Sequence, residues 1–286
     1  MIFLFGAILF NTIRTFVMKY SESHDGNRYG VTVFNYVTGT LLGYLFLEDK
    51  SLLSVCTGKG FVLGFAGINS FLFVAVLLLM QYNVHRNGAP LTTTFSRMGL
   101  IIPILASAVL FGEIPTMVKI IGILISLGAI IYMNGGGKGG DAEEEYNVQK
   151  RSYGSLIILL LCGGSEELMN KLFNVFGQMA DQEAFIFYTF FFSTILSLGI
   201  FFAKNRSLTK RDMISGIMIG IPNQLAATFI LKAAGEIPAY IVYPCYSAGV
   251  IFVVNLINYL VFKEKLSKRE TTAIVAIAAA LVLINL

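Results

Sequence analysis

Apolar runs of membrane-spanning length follow one another along the chain, with short polar breaks between them. A spanning helix needs about 20 apolar residues. Ten stretches qualify, at about 2–18, 30–47, 58–81, 89–111, 115–134, 153–176, 183–203, 212–232, 237–262 and 267–285. They predict an all-α integral membrane protein with ten transmembrane helices and no room for a soluble domain. The longest break, residues 135–152, is rich in Gly and carries Asp141, Glu143, Glu144 and Glu145. It reads as a flexible acidic linker between a first five-helix stretch, 1–134, and a second, 153–286.

The two halves repeat. Ser96, Glu113 and Asn134 recur as Ser247, Glu264 and Asn285, each 151 positions later. Gly60 and Gly64 recur near the start of the eighth stretch as Gly216 and Gly220, a spacing that lets helices approach closely. Five is odd, so the halves cross the membrane in opposite senses. The prediction is two inverted five-helix repeats with a substrate site near the midplane between them.

Lys and Arg set the orientation. Breaks after odd-numbered helices hold fourteen of them and breaks after even-numbered helices four, with Arg14, Arg97 and Lys171 inside spans. The odd breaks are therefore expected in the cytoplasm and both termini outside, in a multi-pass plasma (inner) membrane protein. No basic stretch or small-residue cleavage site precedes Asn11, so a removed leader is not expected.

Composition agrees. The chain is 56% hydrophobic and 13% charged, against roughly 25% charged in a soluble domain. Cys56, Cys162 and Cys245 have no metal-type spacing, and His24 and His85 both fall in polar breaks. No cofactor or metal is expected. The net charge of +4 belongs to membrane loops, so no nucleic-acid partner is expected. Trp is absent, leaving 13 Tyr to supply an interface belt or an aromatic cage. No phosphate loop, catalytic triad order or paired-histidine motif is present, which argues against an enzyme and against an ATP-driven pump.

The polar residues inside the spans are the candidate chemistry. Leu161-Cys162-Gly163-Gly164-Ser165-Glu166-Glu167 places two carboxylates near the middle of the sixth span, where a charge costs about 2.5–3.5 kcal/mol even on insertion scales. Glu167 and Lys171 stand one turn apart and form a structural pair. Glu166 shares a face with Asn170 and is the candidate for substrate binding and proton coupling; its competing reading is neutralisation by Arg97 or Arg14. Arg97, central in the fourth span, suits a bidentate carboxylate or phosphate and equally an internal partner for Glu166. Arg14 lies nearer a span end and reads as snorkelling.

Among the uncharged polar residues, Asn11, Asn69, Ser70, Asn223, Gln224, Asn255 and Asn258 lie in spans and must be hydrogen-bonded if they face lipid. Asn69 and Asn223 occupy matching places, and Pro222 is expected to break the eighth helix. Tyr243, Tyr246 and Ser247 complete the candidate set, the rings being able to stack on an organic cation. Pro90, Pro103, Pro238 and Pro244 are expected to act as hinges.

Ten helices in two repeats, with Gly88-Ala89-Pro90, Phe111-Gly112-Glu113-Ile114-Pro115, Ile237-Pro238-Ala239 and Phe262-Lys263-Glu264-Lys265, resemble the drug/metabolite transporter superfamily in its EamA-like branch. The resemblance implies alternating-access transport of a small metabolite by a monomer or homodimer. It also implies a cavity lined by the first, third, fourth, sixth, eighth and ninth helices. Three departures stand out: no Trp in the first and sixth spans, Lys263 where the turn usually has Gly, and termini on the side opposite to the family's habit.

The resulting expectation is a secondary transporter of a small polar or amphipathic metabolite, cationic or zwitterionic in preference, proton-coupled or exchanging. The alternatives are an anion exchanger reading its substrate through Arg97, and a membrane-embedded receptor or assembly subunit without flux.

Overall fold

The computed structural model describes residues 1–22, 27–47, 60–87, 89–134, 153–204, 207–260 and 268–286. The Gly-rich linker and the Lys263-Glu264-Lys265 turn lie outside these residues. Within them all regular structure is helical. The α-helices are α1 (Ile2–Glu22), α2 (Arg28–Phe46), α3 (Gly60–Asn87), α4 (Ala89–Met98), α5 (Ile101–Phe111), α6 (Met117–Asn134), α7 (Tyr153–Phe176), α8 (Gln182–Lys204), α9 (Lys210–Glu236), α10 (Ala239–Leu260) and α11 (Lys268–Asn285). Among the described residues five segments are long and apolar enough to cross a membrane: Gly60–Asn83, Thr94–Phe111, Met179–Lys204, Lys210–Glu236 and Ala239–Ile257. Ile2–Met18 and Met117–Met133 are shorter apolar helices.

The helices gather into two compact units, and each unit takes helices from both sequence halves. The first holds Met1–Val74 and Met169–Ile237, the second Ala75–Leu168 and Pro238–Leu286.

In the first unit α1 and α8 pack against the α2–α9 pair. Small residues make the α2–α9 contact. A Cβ on Gly220 would stand 2.6 Å from the Asn35 carbonyl oxygen and 2.7 Å from Thr38 Cβ, and one on Gly216 would stand 2.7 Å from the Val31 carbonyl oxygen. The matching Gly60 and Gly64 have nothing within 4 Å among the described residues. The predicted packing role thus holds for the second pair and fails for the first, because no described helix lies against that face of α3.

One buried carboxylate ties the starts of α2 and α9. Asp212 accepts from Asn27 N–H at 2.9 Å and from Thr209 N–H at 2.9 Å, and its own N–H donates to the Thr209 hydroxyl at 3.2 Å. Negative charge at two helix N-termini suits their dipoles. Around this frame lie stacked rings, with Phe173 on Phe185 at 4.1 Å and Tyr36 edge-on to Phe190 at 5.9 Å.

In the second unit α6 packs along α11. Ala129, Ile130, Ala248, Ile251 and Ile277 form the buried apolar centre. Gly112 ends α5 at φ 66°, the left-handed conformation that Gly adopts without strain. That turn aims Glu113 at α10, where its carboxylate accepts from Ala239 N–H at 2.8 Å. The Gly-Glu turn of the first half is thus a cap for a helix of the second.

Candidate functional site

The sequence candidates fall into both units. The second unit holds Arg97, Glu166, Glu167, Tyr243, Tyr246 and Ser247; the first holds Asn11, Asn69, Asn170, Lys171 and Asn223.

The fourth apolar stretch, expected as one helix, is two. Its chain turns at Gly99-Leu100, where Gly99 N–H donates to the Ser96 carbonyl at 3.3 Å and Leu100 N–H to the Arg97 carbonyl at 3.4 Å. Pro103 has no N–H to return to the Gly99 carbonyl, which accepts instead from Ile102 N–H at 3.0 Å. The break lies directly on α7. A Cβ at Gly99 would stand 2.8 Å from the Leu160 carbonyl oxygen and 2.9 Å from Gly164 N. Gly164 likewise leaves no room for a side chain beside the Gly99 carbonyl. Arg97 stands two residues before this crossing on one helix, and Glu166 two residues after it on the other. Backbone contact between two glycines thus sets the half-buried cation candidate and the half-buried anion candidate two residues from one crossing.

The expected break at Pro222 does not occur. α9 runs unbroken from Lys210 to Glu236 with Pro222 inside it, and α10 likewise passes through Pro244. Tyr243 is buried, and its hydroxyl donates to the Glu167 carbonyl at 2.7 Å, fixing α10 against α7. Tyr246 and Ser247 follow it on the same helix and are also buried.

A polar chain crosses the first unit. Arg14 Nη1 donates to Asn223 Oδ1 at 2.6 Å, and Asn223 Nδ2 donates to Asn35 Oδ1 at 3.1 Å. The expectation that Arg14 snorkels out of its span is therefore corrected: its guanidinium turns inward to the buried Asn223 amide on α9, which in turn donates to Asn35 on α2. Asn35 was missed by sequence reasoning. Its signal was there, an amide in the middle of the second apolar stretch. Asn11 lies on α1 one turn before Arg14 and is buried.

Asn69 differs from these. It is 0% exposed, and neither its Oδ1 nor its Nδ2 has a hydrogen-bond partner among the described residues. Asn170 is buried with its Oδ1 in the same condition. Native proteins satisfy nearly all buried polar groups, so such amides mark places where a further polar group is accommodated. Lys171 is buried one turn after Glu167 on α7. Asn255, by contrast, donates back to the Ile251 carbonyl at 2.8 Å within its own helix.

Comparison with known proteins places this geometry. Residues 171–286 match the EamA-like transporter family. An uncharacterized protein of Haemophilus influenzae (strain ATCC 51907 / DSM 11121 / KW20 / Rd) is 25% identical over 253 residues, 85% of this chain and 83% of the relative. A protein of known crystal structure shares the fold with a TM-score of 0.78 over 99% of this chain and 94% of its own, at 14% identity.

Proposed function

We propose, for a chain whose residues 171–286 match the EamA-like transporter family, a secondary active transporter that works by alternating access. The family moves small solutes across membranes and consists of transporters rather than enzymes. The finer reading is ten spans in two inverted repeats in the plasma membrane, moving a small polar or amphipathic metabolite, cationic or zwitterionic. Glu166 couples flux to protons or to exchange, and Asn69 and Asn170 bind substrate.

The observation that carries this reading is the Gly99–Gly164 crossing, with Arg97 and Glu166 within two residues of it. Intramembrane ionisable residues mark substrate and ion pathways, and interrupted helices are where transporters bind their cargo. The anion-exchanger reading draws on the same break, since Arg97 lies in the last turn of α4, four residues before α5 begins, and helix N-termini favour anions.

The test is uptake and charge movement in proteoliposomes with amino acids, organic cations, sugars, nucleosides and carboxylates, with and without a pH gradient. The expected result is gradient-driven flux of one panel member in the wild type and gradient-insensitive flux in Glu166→Gln. Equal behaviour of the two proteins overturns the role of Glu166. Carboxylate flux abolished by Arg97→Gln favours anion exchange. Saturable binding without any flux favours the receptor.

A further inference from the structure

We propose that the first unit carries a second recognition site, specific for a zwitterion whose ammonium bears N–H groups and lies a few ångströms from an anionic oxygen. The site is a cavity of about 270 Å³ among α2, α8 and α9, near the small end of the range for ligand pockets, about 300 Å³ and above. It takes nothing from the Glu166–Arg97 crossing, and of its polar residues only Gln224 was singled out in the sequence, as an in-span amide.

Its polar wall is Glu183 in the first turn of α8, with Lys232, Thr228 and Gln224 on α9; Phe46 and Phe229 supply apolar sides. Glu183 and Lys232 form an ion pair at 3.3 Å, their side chains 26% and 33% exposed. Both line the cavity, and neither group is limited to one bond, because an ammonium has three donors and a carboxylate about four acceptor positions. Gln224 adds direction. Its Nε2 donates to the Thr228 hydroxyl at 3.2 Å, which leaves Oε1 as the atom on offer. Gln224 is 2% exposed, and that oxygen has no donor among the described residues. A buried acceptor on the wall of a cavity calls for a donor, and the Glu183 carboxylate on the same wall favours a donor that is cationic.

The chemistry of the wall selects the ligand. A lone cation entering here meets Lys232 and a lone anion meets Glu183, so each is repelled by one member of the pair. A zwitterion satisfies both: its ammonium donates to Gln224 Oε1 and Glu183, and its oxyanion accepts from Lys232. Both contacts are charge-assisted. The oxyanion source is either a free amino acid or the phosphate of an ethanolamine phospholipid. A choline headgroup has the charges without the N–H groups and does not fit Gln224.

The experiment is equilibrium binding to the purified full chain in phosphatidylcholine nanodiscs. The free-solute arm titrates glycine, β-alanine and 4-aminobutyrate, with ethylammonium and propionate as single-charge controls. The lipid arm compares thermal stability in phosphatidylethanolamine and phosphatidylcholine nanodiscs. We expect saturable binding of a zwitterion or a stabilisation by phosphatidylethanolamine, with neither control binding. Glu183→Gln, Lys232→Met and Gln224→Leu should each weaken that response about tenfold or more, as expected from losing about 1.4 kcal/mol. The exchanged variant Glu183→Lys with Lys232→Glu keeps the pair and should restore folding and part of the binding. Failure of both arms overturns the proposal, as does binding of the single-charge controls equal to that of the zwitterions, or undiminished binding in the three single variants. Where a single variant does not fold, the wild-type discrimination between zwitterions and controls still decides. Because the readout is binding, the proposal stands or falls without reference to flux.

Discussion

At the scale of single residues the amides divide into those that hold helices and those that do not. Asn223 is bonded on both sides, to Arg14 and to Asn35. Asn223→Leu should therefore leave a guanidinium and an amide oxygen unpartnered and cost about 2–4 kcal/mol, read as a lowered thermal midpoint in detergent. The triple variant with Arg14→Leu and Asn35→Leu should recover part of the loss, because apolar groups leave nothing unsatisfied. Asn69 predicts the opposite. Its carboxamide has no partner among the described residues, so Asn69→Leu should leave stability equal or raise it by about 1 kcal/mol while abolishing uptake; a fall in stability without loss of uptake would assign it to packing. The sequence showed that all these amides need partners in lipid. It could not show which were satisfied, because the partners of Asn223 lie 209 and 188 positions away, and such pairings have no local signature.

At the scale of elements the repeat offset was legible and its consequences were not. Gly60/Gly64 and Gly216/Gly220 are equal in sequence and unequal in structure, since among the described residues only the second pair meets another helix. Gly220→Ala should force α9 away from the Asn35 carbonyl and cost about 2 kcal/mol or more, within the range for overpacking. Gly64→Ala has open space and should gain up to about 1 kcal/mol from helix propensity. Circular dichroism melts of the two variants check both, and a matched loss in both would mean the α3 face is covered. The break of the fourth span was hidden for a related reason. Pro103 and Gly99 were both visible, yet Pro222 and Pro244 pass through intact helices. What distinguishes Gly99 is the backbone of α7 pressed against it, which lowers the value of continuing the helix there.

At the scale of the molecule the compact units cut across the sequence halves. α1 and α2 find their partners in α8 and α9, and α6 finds its partner in α11. A chain of residues 1–134 expressed alone would expose those faces, so it should be degraded, whereas co-expression with 153–286 should yield a purifiable complex; stable accumulation of either half alone would contradict this. Parity and offset in the sequence point to an inverted repeat, but a repeat unit need not be a packing unit. Orientation is the remaining property of the whole chain. Fourteen Lys and Arg in the odd breaks against four in the even ones argue for both termini outside, since translocating each cation across the bilayer is disfavoured. Replacing Cys56, Cys162 and Cys245 with Ser and placing a single Cys at residue 286 gives a direct readout. An impermeant maleimide should label that thiol on intact cells, and a Cys placed at residue 210 only after lysis. The reverse pattern would mean that something other than loop charge sets the insertion of this chain, and would move the cavity of Glu183 and Lys232 to the opposite side of the membrane.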